Sequence, residues 1–340
     1  MMDSLVFKGK QSVSLQKKPI PKVKDNEVLV KIILTGICGT DINIYRGNFI
    51  GKPGVTLGHE ATGIVSETGK GVTGFKTGDR VIIDPTMWCA DCYYCRLGDT
   101  HLCDNKSGTE VGVDYDGSFA EYMVIPERFL YLAYDLTWKE AVLVEPLACV
   151  INNFEASKIS YYDDVLIIGA GPIGAIAAML SNKIARKTLV VEPNKERAKI
   201  VRELGYQIID EKLETGVLSK KIQDNFDGRK PSVILDTSSA IYDTLLSLIN
   251  KGGRVVLMGF NKNAKMTFSP LYIVNNAISI IGAGDYHFCM QRSIDVIKTL
   301  PIENILTNVY PLDNAVSVFE NALFEKGLKV AFAPNGDDYE

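Results

Sequence analysis

The densest group of reactive side chains is a run of four cysteines in the spacing Cys89-x2-Cys92-x2-Cys95-x7-Cys103. Four thiolates this close in sequence can close a tetrahedral Zn²⁺ site without a distant ligand, and such a site leaves no open position for a substrate. Iron–sulfur clusters also take four cysteines, but their usual spacings differ from this one. We therefore predict a structural zinc site that organises a lobe at about residues 87–103.

A second set of metal-binding residue types is scattered through the chain. Cys38 precedes Thr40 by two residues, His59 and Glu60 are adjacent, and Glu145 stands before a proline. Each residue alone says little, because a lone cysteine is most often a small buried apolar residue. Together they offer thiolate, imidazole and carboxylate groups, which are the ligand types of catalytic zinc sites that leave one position open.

A glycine pattern typical of dinucleotide-binding proteins is present at Gly169-Ala170-Gly171-Pro172-Ile173-Gly174. It follows an apolar strand pattern at residues 165–168 and precedes a helical run, which is the context that the pattern requires. The first glycine allows a tight turn, the second lets a pyrophosphate approach the backbone, and the third lets the helix pack closely on the strand. The helix N-terminus adds a favourable dipole for the phosphates. A glycine-rich turn that binds nothing is the alternative.

The residues that would contact the rest of a dinucleotide follow later strands of the same series. Glu192 ends the next predicted strand, 18 residues after Gly174. A carboxylate there accepts hydrogen bonds from ribose hydroxyls and repels a 2′-phosphate, so we predict NAD rather than NADP. Arg197 stands close by and weakens this preference. It is assigned to the cofactor site together with Met258 and Gly259.

The elements that must position these residues change character along the chain. The first 150 residues read as mainly β, with short apolar runs such as 28–34 and 80–83 between glycine, proline and aspartate residues. From about residue 160, strand patterns alternate with helical patterns, which predicts a parallel, doubly wound sheet. Two helix-like stretches follow after about residue 288.

The order of these motifs resembles that of the zinc-containing medium-chain alcohol dehydrogenase family, in the style of its sorbitol/threonine dehydrogenase branch. The shared motifs are C-G-T-D at 38–41, G-H-E at 58–60, the four-cysteine lobe, the segment 116–122 and G-x-G-x-x-G at 169–174. The resemblance implies an α/β fold in which a Rossmann doubly wound parallel sheet is joined to a mainly-β GroES-like catalytic domain. It places the catalytic domain, with the zinc lobe, at residues 1–152 and 288–340. The Rossmann NAD-binding domain is then 153–287, with the active site in the cleft between the domains.

The resemblance also implies which residues bind metal. Cys38, His59 and Glu60 match the family's zinc ligands. Glu145 matches a carboxylate that either binds zinc or holds its water, so which of the two glutamates coordinates stays open. The family pattern implies one catalytic and one structural zinc per chain. In this chemistry zinc is a Lewis acid toward an alcohol, whose carbon gives a hydride to NAD, and Thr40 takes the alcohol proton by a hydrogen bond.

The chain departs from the family pattern at two positions. Relatives often have a histidine five residues after the zinc cysteine, where this chain has Asn43, so the final proton acceptor stays open. Many polyol dehydrogenases carry a histidine after the E-P motif where this chain has Asn152. Besides His59, we expect His101 to be exposed on the lobe, and His287 to be either a surface residue or a neighbour of the cleft.

The segment at residues 45–50 mixes aromatic, cationic and amide side chains and is expected to line the substrate pocket. A pocket for a simple aliphatic alcohol would be more uniformly apolar. We therefore predict a zinc-dependent oxidoreductase that uses NAD to convert a secondary alcohol of a polyol, cyclitol or sugar derivative to the ketone. The alternatives are a threonine 3-dehydrogenase, a sugar-phosphate dehydrogenase, a simple alcohol dehydrogenase and a catalytically idle NAD-binding regulator.

The composition argues against several other classes of protein. The chain has 37 Lys and Arg residues against 41 Asp and Glu residues, a net charge of −4, which does not suit nucleic acid or an anionic membrane surface as a partner. The longest apolar stretch, residues 165–180, is interrupted by glycine and proline and is shorter than the about 20 residues of a membrane span. No secretion signal opens the sequence. We expect a cytoplasmic enzyme with a small-molecule alcohol substrate, assembled as a homodimer or homotetramer.

Overall fold

The computed structural model describes residues 1–106, 110–212, 214–259, 261–336 and 339. The chain divides into two compact units. The first unit combines Met1–Ala148 with His287–Glu340, and the second unit is Cys149–Tyr286. Each unit has its own sheet, so each is described by itself.

Fifteen strands and eleven α-helices lie within the described residues and are numbered along the chain. The strands are β1 (Met2–Gly9), β2 (Ser12–Lys18), β3 (Glu27–Gly36), β4 (Glu60–Thr68), β5 (Arg80–Ile83), β6 (Tyr122–Pro126), β7 (Leu130–Leu132), β8 (Asp164–Ile168), β9 (Lys187–Val191), β10 (Ile208–Ile209), β11 (Val233–Asp236), β12 (Arg254–Leu257), β13 (Ser279–Ile281), β14 (Leu306–Pro311) and β15 (Lys329–Ala333). The helices are α1 (Gly39–Arg46), α2 (Tyr93–Leu97), α3 (Trp138–Ala141), α4 (Val144–Ser157), α5 (Pro172–Ile184), α6 (Lys195–Glu203), α7 (Thr215–Asn225), α8 (Tyr242–Leu248), α9 (Pro270–Asn276), α10 (Cys289–Ile297) and α11 (Ala315–Glu320). None of the helices in the described part of the chain has both the length and the apolar character that crossing a bilayer requires.

The first unit is built on a mixed sheet of seven strands. Six of them lie in the order β14-β15-β3-β4-β5-β7, and β6 pairs with β3. All neighbouring pairs are antiparallel except β14 with β15. Strands β1 and β2 form a separate antiparallel pair. This unit is mainly β, as the sequence predicts.

Strand β3 is the centre of this sheet, because it pairs with β4, β6 and β15. Its apolar residues pack in the core, which suits the β-branched and aliphatic types that dominate it. At its end, Gly36 lies opposite both Glu60 of β4 and Ala331 of β15. The register therefore brings the start of β4 and the middle of β15 to the point where β3 leads into α1.

An aromatic core in the first unit supports the same region. The rings of Phe119, Phe319 and Phe332 are fully buried, with centroids 5.0 to 6.5 Å apart. Aromatic pairs of this kind contribute about 0.5–1.5 kcal/mol each beyond their burial. Gly58 has a φ of +91°, and a Cβ there would overlap the Phe119 ring. The position before His59 is therefore restricted to glycine by both conformation and space.

The second unit is a parallel sheet of six strands in the order β10-β9-β8-β11-β12-β13. Helices α5 to α9 alternate with its strands along the chain. The chain moves from β8 outward to β10, then returns to β11 beside β8 and moves outward on the other side. The carboxyl ends of the strands at such a reversal are the usual ligand-binding edge of a parallel sheet. The doubly wound parallel sheet predicted from the sequence is confirmed.

Candidate functional site

Three metal-binding side chains come together in the first unit where β3, α1 and β4 meet. Cys38 is the N-cap residue of α1, His59 directly precedes β4, and Glu60 is the first residue of that strand. Their ligand atoms lie within 4.8 Å of one another. The fold thus collects three of the residues that the sequence analysis assigned to a catalytic zinc.

Asp41 contacts both sides of this group. It is fully buried in α1, and its Oδ2 accepts a hydrogen bond of 2.8 Å from the backbone N–H of Cys38. Its Oδ1 accepts a hydrogen bond of 3.1 Å from the N–H of Gly58 and lies 3.8 Å from His59 Nδ1. A carboxylate beside one ring nitrogen orients a histidine and leaves its other nitrogen for a metal.

A buried ion pair joins Glu60 to β15. Lys329 is 1% exposed, and its Nζ donates to Glu60 Oε2 and, at 3.0 Å, to the carbonyl oxygen of Ile37. Gly36 leaves space for this pair, because a Cβ there would overlap Glu60 Oε2 and lie 2.8 Å from Lys329 Cε. The pair fixes the position of the carboxylate at the site.

The buried charges at this site shift the pKa values of their neighbours. Burial alone would lower the pKa of His59, but the charges of Asp41 and Cys38 raise it well above its ordinary value. Burial also disfavours the charge of Lys329, yet Glu60 raises the pKa of that lysine above its ordinary value. Four acidic side chains, Cys38, Asp41, Glu60 and Glu145, interact here with only two basic ones, His59 and Lys329, which favours the binding of a further cation.

Glu145 and Thr40, also assigned from the sequence, lie outside the three-residue group. Glu145 is buried in the first turn of α4, and burial together with the charge of Glu60 raises its pKa to about 7. The charge of His59 lowers the same pKa, so this carboxyl group is within electrostatic reach of the site. Thr40 Oγ1 lies 3.7 Å from Cys38 Sγ.

The donor set of the group fits a zinc ion. A thiolate, an imidazole and a carboxylate are donors that catalytic zinc sites combine with one open position. The mutual separation of their ligand atoms, within 4.8 Å, lets one ion contact all three after small side-chain adjustments. Mg²⁺ and Ca²⁺, which take oxygen ligands, are disfavoured by the thiolate.

The four cysteines of the lobe also converge. Their sulfur atoms lie within 4.8 Å of one another, with 3.6 Å between Cys89 and Cys103, 3.9 Å between Cys92 and Cys103, and 4.0 Å between Cys89 and Cys95. Sulfur atoms around a tetrahedral zinc lie about 3.8 Å apart, given the usual zinc–sulfur bond length. The four thiols therefore fit a closed structural zinc site.

Backbone amides of the lobe point at these sulfur atoms. Cys89 Sγ accepts hydrogen bonds from the N–H groups of Asp91 and Cys92, which lower the pKa of the Cys89 thiol to about 6. Cys92 is the N-cap residue of α2 and accepts a bond from the N–H of Cys95. Burial raises the pKa of Cys95 to about 12, so this thiol ionises at neutral pH only beside a cation.

In the second unit, the dinucleotide pattern forms the turn between β8 and α5. Gly169 has a φ of +96°, and a Cβ at Gly174 would overlap the carbonyl oxygen of Gly169, so both positions require glycine. Gly171 is the N-cap residue of α5, and a Cβ there would meet nothing within 4 Å. Pro172 and Ile173 begin the helix, whose free N–H groups suit a phosphate.

Glu192 directly follows β9 and is held in place by backbone groups. Its Oε2 accepts a hydrogen bond from the N–H of Ala170 and its Oε1 from the N–H of Asn194, each at 2.8 Å. The first of these bonds ties the carboxylate to the glycine turn. Each carboxylate oxygen keeps a second lone pair, so ribose hydroxyls can still donate to it.

The other cofactor-assigned residues lie at the ends of neighbouring strands. Arg197 is in the first turn of α6, and its buried Nε has no hydrogen-bond partner within the described residues. Met258 and Gly259 directly follow β12, and their N–H groups donate to the carbonyl oxygen of Asp236 at 2.9 and 3.0 Å. Since carboxyl ends of parallel strands share one edge, these residues lie at the same edge as the glycine turn.

Two residues that shape the metal group were not assigned from the sequence. Asp41 had a local signal, because an acid three residues after Cys38 matches the spacing of a capping box. Lys329 had a weaker signal, a single lysine among the apolar residues of β15. A buried lysine in a strand needs an anionic partner, but the strand itself does not say which one.

Two residues that were expected in the substrate pocket have other surroundings in the structure. Tyr45, expected in a substrate pocket, packs in the core against Phe319 with ring centroids 5.3 Å apart. Arg46, from the same segment, forms an ion pair with Glu325 and lies over the ring of Phe324. These contacts assign two side chains of the 45–50 segment to the core and to a surface ion pair.

The two remaining histidines are not isolated surface residues. His101, expected to be exposed, is half-buried and stacks on His287 with ring centroids 4.6 Å apart.

Asn152, at the position where many polyol dehydrogenases have a histidine, donates hydrogen bonds to the carbonyl oxygens of Ala283 and Asp285, each at 3.2 Å. Its amide therefore holds the turn that precedes His287.

Comparison with known proteins agrees with this arrangement. The profile of the alcohol dehydrogenase GroES-like domain matches residues 24–135, and that of the zinc-binding dehydrogenase domain matches residues 172–298. D-xylulose reductase A of Aspergillus oryzae is 28% identical over 97% of this chain and 96% of its own length. D-arabinitol dehydrogenase 1 of Uromyces fabae is 28% identical over 98% of this chain and 97% of its own.

Solved structures extend the similarity to the whole fold. A zinc-binding dehydrogenase from Sinorhizobium meliloti 1021, bound to NADP, superposes with a TM-score of 0.89 and 26% identity over 98% of this chain and 99% of its own. A short chain alcohol dehydrogenase from E. coli CFT073, complexed with NADH, gives a TM-score of 0.87 and 28% identity over the same shares. The matches cover both units and both groups of candidate zinc ligands, and the chain belongs to the zinc-containing medium-chain alcohol dehydrogenase family.

Proposed function

We propose that this protein is a zinc-dependent polyol dehydrogenase that oxidises a secondary alcohol to a ketone with NAD. The observation that carries the proposal is the group of Cys38, His59 and Glu60, whose ligand atoms converge within 4.8 Å in a partly buried setting. The full-length relatives named for xylulose and arabinitol support a polyhydroxylated substrate. An idle regulator would have no reason to keep this group.

When bound, zinc would supply a Lewis acid and the nicotinamide a hydride acceptor. Cys38, His59 and one of the two glutamates would hold the ion. Asp41 would fix the backbone N–H of Cys38 and orient the ring of His59, since its carboxylate contacts both. These contacts limit the freedom of the ligands before a metal arrives, which favours binding.

Lys329 would determine how the Glu60 carboxylate is oriented toward a bound metal. The lysine holds Oε2 of Glu60, so this carboxylate is directed by a buried cation. Burial and the charge of Glu60 raise the pKa of Glu145 above its ordinary value. We infer that Glu60 is the carboxylate whose position is fixed before a metal binds.

Thr40 would hydrogen bond to a substrate hydroxyl near Cys38 Sγ, 3.7 Å away. A threonine hydroxyl is too weak a base to keep a proton, so it can only pass one on. Asn43, one turn further along α1, cannot titrate. The proton would therefore leave through water.

The cofactor would bind at the carboxyl edge of the parallel sheet in the second unit. Gly171 offers backbone that faces open space, and the start of α5 offers N–H groups for the phosphates. Glu192 supports NAD, because it would repel a 2′-phosphate. The buried Nε of Arg197 is the feature that would support NADP instead.

The first test is a screen of NAD reduction across polyols, inositols, aminocyclitols, sugar phosphates, threonine and simple alcohols, combined with zinc analysis. We expect the highest kcat/KM with a polyol or cyclitol, and zinc in both the Cys38 group and the lobe. Best turnover with threonine or a simple alcohol would contradict the substrate class. No turnover and no zinc in the Cys38 group would contradict the enzyme.

Replacing Cys38 with Ser should reduce turnover by several powers of ten while NAD binding is retained. A protonated serine is a poor zinc ligand, and loss of a Lewis acid worth several kcal/mol costs about tenfold per 1.4 kcal/mol. Thr40→Ala should cost about 10²–10⁴-fold, and Thr40→Ser should restore most of this loss. Turnover, zinc content and NAD fluorescence titration check these outcomes, with Cys149→Ser as control. Near-normal turnover of Cys38→Ser without its zinc would rule out the proposal.

Replacing Lys329 with Met should leave Glu60 buried without its cation and destabilise the first unit by about 3–5 kcal/mol. The double variant Lys329→Met/Glu60→Gln should recover part of this loss, because the uncompensated charge is then removed. Chemical denaturation of the single and double variants measures the coupling. Strictly additive losses would show that the two residues act separately.

Replacing Cys92 with Ser should release one zinc per chain and lower the melting temperature while the Cys38 group keeps its metal. The closed geometry of the four thiols couples metal binding to the folding of the lobe. Elemental analysis and thermal denaturation measure both effects. An unchanged zinc content in this variant is the contradicting result.

Replacing Glu192 with Ala should narrow the preference for NAD over NADP, measured as the ratio of the two kcat/KM values. The charge that repels a 2′-phosphate is then gone, and Arg197 remains. Glu196→Ala removes an equal charge four residues further along, in the first turn of α6, and should leave the ratio unchanged. Wild-type protein with the higher kcat/KM for NADP would contradict the assignment.

We also propose that the chain forms a homodimer or homotetramer through the edge of the second unit's sheet. Strand β13 ends the sheet, and the preceding helix α9 exposes Leu271 by 67% and Val274 by 74%. Leu271→Glu/Val274→Glu should convert the oligomer to smaller species in analytical ultracentrifugation. Val217→Glu, which changes an exposed residue of α7, is the control. A wild-type monomer, or an unchanged oligomer in the double variant, would contradict the proposal.

A further inference from the structure

We infer that Asp99, His101 and His287 form a third metal site, for a divalent transition-metal ion such as Zn²⁺. Their ligand atoms lie within 4.8 Å of one another, and none of the three belongs to the Cys38 group or to the four-cysteine group. The inference is independent of the proposed enzymatic activity, because it concerns residues to which that activity gives no role.

Two distant segments of the first unit supply the three residues. Asp99 is the N-cap residue of a short 3₁₀ helix, Thr100–Leu102, which also contains His101. His287 opens the C-terminal part of the first unit, just before α10. The rings of the two histidines stack at a centroid distance of 4.6 Å and an angle of 27°, so the two segments meet at these side chains.

The hydrogen bond of His287 prepares this ring to bind a metal. His287 Nε2 lies 2.6 Å from the carbonyl oxygen of Gly98, which can only accept, so Nε2 carries the proton. In the neutral ring the lone pair is then on Nδ1. A metal-binding histidine usually donates its other N–H to a carbonyl or carboxylate in this way.

His101 supplies an independent sign of a missing ligand. Its Nδ1 is buried and has no hydrogen-bond partner among the residues that the structure describes. A buried polar atom without a partner costs about 1–3 kcal/mol, so such atoms are uncommon in folded proteins. A metal ion coordinated by nitrogen atoms of the two imidazoles and by the Asp99 carboxylate would give this nitrogen a partner.

The donor types identify the class of metal. Two imidazoles and a carboxylate suit zinc and its neighbours in the first transition row, whereas Mg²⁺ and Ca²⁺ require mainly oxygen ligands. Three protein ligands leave a fourth position for water. The ion would join the cysteine lobe to the segment where the chain re-enters the first unit, so its binding should stabilise that unit.

The test measures bound zinc by equilibrium dialysis of the full-length protein against graded free Zn²⁺, with elemental analysis. Wild-type protein should bind three ions per chain at saturation, and His101→Gln should bind two. Loss of one ligand should lower the affinity for the third ion by more than about 100-fold. This exceeds the effect of losing a residue that only hydrogen bonds to a ligand. Turnover should not change, because the third site has no part in the reaction. The wild-type melting temperature should rise as the third ion binds.

Further variants and cobalt substitution distinguish this site from the cysteine sites. His287→Gln and Asp99→Asn should each lose the same ion, whereas Asp91→Asn, which removes an exposed charge from the same lobe, should keep it. Co²⁺ bound as the third ion should lack the sulfur-to-cobalt charge-transfer bands of thiolate sites. The inference is overturned if wild-type protein binds only two ions. It is also overturned if the Asp99→Asn and His101→Gln proteins bind as many ions as wild type, or if the third ion shows thiolate bands.

Discussion

The buried anionic charge around Cys38 is the constraint on which the site in the first unit depends. Asp41 and Glu60 are almost completely buried within reach of the thiol, and each would be costly to bury alone. The protein meets this cost with Lys329, with the ring of His59 and with backbone N–H groups. A site arranged in this way has its lowest free energy when a further cation is present.

The register of β4 and β15 on β3 brings together the charged groups that balance one another. Gly36 is opposite both Glu60 and Ala331, and its lack of a side chain leaves the space where the carboxylate and the lysine meet. The aromatic core acts in the same way at Gly58, where Phe119 occupies the volume that any side chain would need. Packing and electrostatics thus restrict the same short stretch of chain.

How much could be predicted from the sequence depends on how local each feature is. The cysteine lobe and the glycine turn were predictable, because in each case the residues lie close together in the sequence and their spacing indicates the chemistry. The parallel sheet was predictable from alternating strand and helix patterns. Lys329 was not, because its partner Glu60 is 269 residues away and only the register of β15 on β3 brings them together. The stacking of His101 on His287 was missed for the same reason, since the sequence shows two unrelated histidines.

The separation between Glu60 and Lys329 has a consequence for the order in which the protein matures during synthesis. The four lobe cysteines leave the ribosome together, so they can bind an ion before β15 has been synthesised. The Cys38 group lacks its buried lysine until β15, which carries Lys329 269 residues after Glu60, has been synthesised. Proteins fold as they emerge from the N-terminus, so the lobe would acquire metal first and the Cys38 group last. A nascent chain that stalls before β15 would then carry a metal-loaded lobe and a Cys38 group without the cation that balances Glu60.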